Sequence, residues 1–153
     1  ALGRGLVVEP FLASAILDME ITVASPPGYQ PKPAILEEAR ALGGSPRVVE
    51  EPEEAAHGAD VLVTDTWVSM GDEAEEAERL RVFGKYQINS ELMANAGEGA
   101  IALHCLPAHR GEEVTDEVMD GPQSVVLDQA ENRLHPEQAL LVALIEKRLE
   151  GRR

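Results

Sequence analysis

The chain has 153 residues, 44% of them hydrophobic and 27% charged, enough for one globular domain with its own core. Its net charge of −15 sets up a field that repels phosphates, which argues against nucleic acid and against an anionic membrane as partners. A single cysteine excludes an internal disulfide framework. With no charged-then-apolar leader and no apolar run near the ~20 residues that span a bilayer, it makes the cytoplasm the expected compartment.

Short β-rich runs alternate with segments of helical period, the pattern of an α/β domain on a parallel sheet. A first helix is predicted over 10–18, with Pro10 in its first turn and Phe11, Leu12, Ala15 and Ile16 on one face. A strand over 21–24 follows, then a helix over 33–42 opened by Pro33 and ended by Gly43-Gly44. A strand over 47–49, a short acidic helical turn over 53–57 and a strand over 61–64 come next. The charged helix over 72–83 presents its acidic residues to solvent, and a short helix over 90–96 is capped by Asn89 or Ser90. Strands over 100–103 and 124–127 precede a last helix from 136 to about 149 that should bury Leu140, Leu141, Leu144 and Ile145. Aromatics are only 3%, so the core must rest on Val, Ile, Leu and Ala, with Trp67 as the one large ring able to anchor a loop. No repeat, low-complexity tract or linker divides the chain, so residues 1–153 read as a single domain.

In open parallel sheets ligands collect beyond the carboxyl ends of the strands. Asp65, Cys105 and Asp128 each stand at such a predicted end, so three separate stretches should converge on one edge. Plainer readings stay open: a strand-end Asp often forms a turn or caps a helix, and a lone Cys is among the most buried residue types. A metal site from His104, Cys105 and His109 is the weaker alternative, since strand neighbours point to opposite faces and no second cluster completes a tetrahedral shell. Gly3-Arg4-Gly5 is half of a dinucleotide fingerprint, but it lacks the third glycine, and the strand over 21–24 ends in Ser25-Pro26 with no acidic residue for a ribose.

The stretch His104-Cys105-Leu106-Pro107 resembles the His-Cys-Leu-Pro signature of ornithine carbamoyltransferases, which carbamoylate L-ornithine to citrulline. Asp65-Thr66-Trp67-Val68-Ser69-Met70-Gly71 and Asp128-Gln129-Ala130-Glu131-Asn132-Arg133-Leu134-His135 match that family in order and content. The resemblance implies a Rossmann-like, doubly wound parallel sheet with flanking helices, and a domain of the ornithine-binding type. It also implies roles: Asp65, Ser69 and Met70 hold the amino-acid end of ornithine, and Cys105 and Leu106 lie beside the reacting amine and the carbamoyl group. Arg133 then polarises the carbamoyl carbonyl. No metal or organic cofactor is implied.

The match is close from residue 21 onward and poor over 4–18. The family's Gly-Asp-Gly-Asn-Asn stands where this chain has Gly3-Arg4-Gly5-Leu6-Val7, so apolar residues replace an asparagine that helps hold ornithine, and Pro10-Phe11 stands where the family has His-Ser. The Ser-Thr-Arg-Thr-Arg loop that binds carbamoyl phosphate is absent from the sequence, and Arg110 and Arg133 are the cations near the site motifs. The expected protein is therefore an isolated or engineered half of such an enzyme, engaging carbamoyl phosphate only with a further domain. A non-catalytic binding module or scaffold and a nucleotide-binding protein are the alternatives. The family's first strand of this domain ends near Ala1-Leu2, a central place in such sheets, so either Leu6–Val8 should join strand pairing or chains should self-associate.

Overall fold

Proline or a short polar side chain marks the start of several helices. The computed structural model describes residues 8–68 and 75–150. Helix α1 (Val8–Ile16) has Pro10 in its first turn and ends at Asp18, whose φ of +55° closes the chain back so that Met19 N–H reaches Ser14 O at 2.8 Å. Helix α2 (Pro33–Ala41) opens on proline, whose missing N–H would be unpaired there in any case, and Gly43 at φ +94° ends it. Helix α3 (Pro52–Ala56) repeats the device, with Glu53 and Glu54 complementing its dipole. Helix α5 (Ser90–Asn95) is capped by Asn89, which accepts Leu92 N–H at 2.9 Å.

Strands β1 (Thr22–Ala24) and β2 (Arg47–Val49) pair in parallel, as do β3 (Val61–Thr64) and β4 (Ile101–His104). Each parallel pair is joined through helices, α2 in the first case and α4 (Glu76–Phe83) with α5 in the second. The fold is Rossmann-like α/β, though among the described residues the sheet consists of two two-stranded ladders with no pairing between β1 and β3. Helix α3 bridges them by packing on β1, β2 and α5. Beneath β3 and β4, Leu62 and Ala102 join Ala56, Ile88, Met93, Val114 and Val118 in the main core. A second cluster gathers Trp67, Phe83 and Tyr86, with Trp67 and Phe83 stacked at 6.1 Å and Tyr29 meeting Phe83 edge-on at 4.9 Å. Trp67 thus anchors its loop as expected.

Several expectations are corrected. The strand over 124–127 shrinks to one parallel bridge between Ser124 and Ala102, and helix α7 (Val126–Glu150) begins two residues later. A run of four residues rich in Val and Leu reads equally as a strand or as a buried helix start, and here Val126 fills the core as the first residue of the helix. The helix then runs through Pro136, although proline lacks the N–H for the bond to the preceding turn. Beyond that proline it extends past the body, leaving Leu140, Leu141, Leu144 and Ile145 between 56% and 59% exposed instead of buried. Val8 is helical, not a strand residue, while Leu6, Val7 and the Gly3-Arg4-Gly5 stretch lie outside the described residues. The first part of the predicted helix over 72–83 also falls outside them. The 3-10 turn Gly84–Tyr86 and helix α6 (Asp116–Met119) are too short to have shown a period.

Helix α1 packs on α2 across Gly44, where an added Cβ would lie 2.7 Å from Ala15 Cβ and 3.2 Å from Ala39 O. Gly44→Ala should therefore destabilise the fold by about 1–3 kcal/mol, seen as a lower urea midpoint at unchanged slope.

Candidate functional site

Thr64 pairs with His104 at the last row of the β3–β4 ladder, so the next residues, Asp65 and Cys105, leave the sheet side by side. Although 40 residues apart, they touch: the Cys105 thiol donates to Asp65 Oδ1 at 2.8 Å. The same oxygen accepts Thr66 N–H at 2.8 Å, which fixes the carboxylate. Burial, reinforced by the acceptor and charge of Asp65 and opposed by the more distant charge of Arg133, pushes the thiol up to about 12. Cys105 is thus a neutral hydrogen-bond donor at ordinary pH, not a thiolate.

Leu106 has a φ of +58°, a left-handed backbone that costs a leucine on the order of 1–2 kcal/mol, and the peptide to Pro107 is cis. Its N–H is held by His104 Nδ1 at 2.9 Å. The His104 N–H in turn donates to Gln129 Oε1 at 2.9 Å, locking the start of α7 to the end of β4. Arg133 is one turn further along α7, on the same face as Gln129, and is exposed yet close enough for Cys105 to feel its charge. Asp65, Cys105, Leu106 and Arg133 therefore share one edge. Asp128 does not stand at a strand end: it is exposed in the first turn of α7, where its charge suits the helix dipole. Ser69 and Met70 lie outside the described residues; the loop leading to them is held by buried Trp67, whose carbonyl accepts from Arg79 at 3.2 Å.

Two groups of potential metal ligands occur among the described residues. The ligand atoms of Asp65, His104 and Cys105 lie within 4.8 Å of one another, closer than strand alternation implies, because the chain leaves β4 at His104. Both ring nitrogens and the thiol hydrogen are already engaged, so this group has no free donor set. His109, Glu112 and Glu113 form the second, which the sequence did not reveal. Arg110 is drawn away from the site: its fork meets Asp120 at 2.7 and 2.8 Å and Asp116 at 2.7 Å, and these bonds, Asp120 foremost, raise its pKa. Gln129 was visible only as one letter of a motif, and Glu113 had no signal at all, since its role depends on a loop folding back nine residues.

A raised thiol pKa favours folding fully below about 9, the ordinary value, and that contribution is lost as pH climbs toward about 12. Iodoacetamide should therefore alkylate Cys105 in the native chain more slowly at pH 8 than in the urea-unfolded chain. Asp65→Asn should speed the native reaction by removing the acceptor charge; an unchanged rate would leave burial as the whole cause.

The chain as a whole has counterparts among known proteins. Residues 4–144 match the family described as aspartate/ornithine carbamoyltransferase, Asp/Orn binding domain. The chain is 62% identical over 143 residues to the ornithine carbamoyltransferase of Methanoculleus marisnigri, covering 94% of this chain and 46% of that protein. Its identity to the ornithine carbamoyltransferase of Methanosarcina acetivorans is 52%, over 94% of this chain and 47% of the relative. The solved ornithine carbamoyltransferase from Pyrococcus furiosus superposes with a TM-score of 0.82 at 44% identity, over 89% of this chain and 45% of that one. An acetylornithine transcarbamylase complexed with acetylcitrulline gives a TM-score of 0.80 at 29% identity, over 94% of this chain and 45% of that one. The chain thus spans a little under half the length of these relatives. It belongs to the aspartate/ornithine carbamoyltransferase family, as an Asp/Orn binding domain.

Proposed function

We propose that this chain is the ornithine-binding side of an ornithine carbamoyltransferase, which in arginine biosynthesis converts carbamoyl phosphate and L-ornithine to citrulline and phosphate. The observation that carries the reading is the contact of Cys105 with Asp65 at the paired strand ends, with Arg133 reaching the same edge from α7. Asp65 supplies a fixed carboxylate suited to the α-ammonium of ornithine, with Ser69 and Met70 as its partners by family likeness. In the reaction the neutral δ-amine attacks the carbamoyl carbon, the bond to the phosphate oxygen breaks, and the new C–N bond forms as the amine loses a proton. A neutral thiol held by Asp65 does not compete as nucleophile, so Cys105 positions, while Leu106 lines the carbamoyl group. Arg133 stabilises charge on the carbonyl oxygen. The chemistry needs no metal or organic cofactor.

Carbamoyl phosphate brings a dianionic phosphoryl group. Arg110 is committed to Asp116 and Asp120, and a chain of net charge −15 opposes the substrate's approach, so Arg133 does not suffice to hold it. Turnover on this reading needs a carbamoyl-phosphate site that the described residues do not supply. A second reading, a retained fold that serves as a binding module without turnover, is favoured by Leu6-Val7 at the place of the family's asparagines. Self-association is a further proposal, favoured by the exposed Leu140, Leu141, Leu144 and Ile145 and by the half-exposed Val63 on the outer face of β3.

Calorimetric titration with L-ornithine should show saturable binding, weakened at least about tenfold by Asp65→Asn, and no heat from a dinucleotide. Absence of ornithine binding would favour the module reading. The purified chain alone should form no citrulline above the uncatalysed rate, and robust turnover would overturn the proposed division of labour.

A further inference from the structure

The geometry points to Glu113 as a positioning residue of the ornithine site: its buried carboxylate holds both ends of the loop from His104 to His109 and so maintains left-handed Leu106 and the placement of Cys105. The inference rests on the proposed reading of that edge as the ornithine site. Glu113 and His104 are 0% and 1% exposed, and the Glu113 backbone is tied to the core by its carbonyl, which accepts Ile88 N–H at 2.9 Å.

Leu106 N–H donates to His104 Nδ1, so that nitrogen must present its lone pair and the ring hydrogen must sit on Nε2. Nε2–H then donates to Glu113 Oε1 at 3.1 Å. Without an acceptor there, the tautomer that Leu106 requires would leave Nε2–H buried and unpaired, which weakens the preference for it. The same Oε1 accepts His109 N–H at 2.5 Å, at the far end of the loop. One oxygen therefore pins both ends of the segment whose middle holds the strained leucine. Packing alone would favour an apolar residue, because burying a carboxylate costs free energy that the hydrogen bonds must offset. Among the described residues the other oxygen, Oε2, has no hydrogen-bond partner and faces His109 Nδ1 at 3.8 Å. Burial, the largest single effect, pushes the carboxyl up, but the hydrogen bonds from His104 and from the backbone N–H groups of His109 and Glu113, with the charge of His104, together hold it below the usual range, which keeps it an acceptor.

Two variants of the full chain separate position from packing. Glu113→Gln keeps the volume, and its amide oxygen must face the two donors, so the His104 ring should stay on the Nε2–H tautomer by nitrogen NMR. Its thiol alkylation rate and ornithine affinity should remain close to native. Glu113→Leu should mix the tautomers, speed Cys105 alkylation and weaken ornithine about tenfold or more, as expected when a reacting constellation shifts by a fraction of an ångström. A native ring found on the Nδ1–H tautomer overturns the proposal even if the leucine variant fails to fold. So does a folded leucine variant with native thiol reactivity and native ornithine affinity. If the native chain binds no ornithine, the proposed function fails, while the ring and thiol measurements still decide the role of Glu113.

Discussion

Parallel pairing of Val61 with Ile101 through Thr64 with His104 ends both strands on one row, and each later feature of the site depends on that register. A slip of β4 by one residue would turn Ala102 and His104 from the buried face to the open one, and a slip of β3 would do the same to Leu62 and Thr64. It would also separate Asp65 from Cys105, whose contact exists only because both follow the last paired residue. The apolar core beneath the ladder therefore specifies the chemistry above it. Burial of Leu62 and Ala102 against Ile88, Met93 and Val114 selects the register, and the register delivers a carboxylate and a thiol to one place.

From that row the structure spreads through directional bonds. Gln129 binds the His104 N–H and so sets the rotation of α7, which brings Arg133 to the same edge one turn later. His104 turns inward to Glu113 while its second nitrogen holds the strained Leu106. These groups lie in or beside a low-dielectric interior, where satisfied hydrogen bonds are strong and unsatisfied ones costly, so the network tolerates few alternative arrangements. Arg110 illustrates the opposite case. Near the motif in sequence, it is spent on two exposed carboxylates and supplies the site with nothing.

Apolar surface is distributed unevenly. Val63 on the outer face of β3 and the leucines past Pro136 on α7 remain open to solvent, and β1–β2 and β3–β4 form separate ladders among the described residues. Stability rests on the core beneath β3 and β4, on the aromatic group around Phe83, and on α1 seated against Gly44.

Much of this was written in local sequence. Pro33 and Pro52 start helices, Asn89 caps one, and β2 and β3 occupy the residues whose β-branched content predicted them, because these preferences act within a turn or between neighbours. Asp65, Cys105 and Arg133 were legible as motif residues, and the alternation of strands and helices placed the first two at strand ends. Residues 124–127 defeated the same logic, since a four-residue apolar run carries no period and only the core space taken by Val126 made it a helix start. Leu140 and its neighbours have a helical period, but period says nothing about whether another element lies within reach. Glu113 and Gln129 belong wholly to the tertiary level. Sequence by itself determined most of the elements and the residue types available at the sheet edge; only the folded chain decided where α7 begins, which carboxylate was buried against His104 and which amide tied α7 to β4, because those choices depend on distances between residues that local preference cannot set.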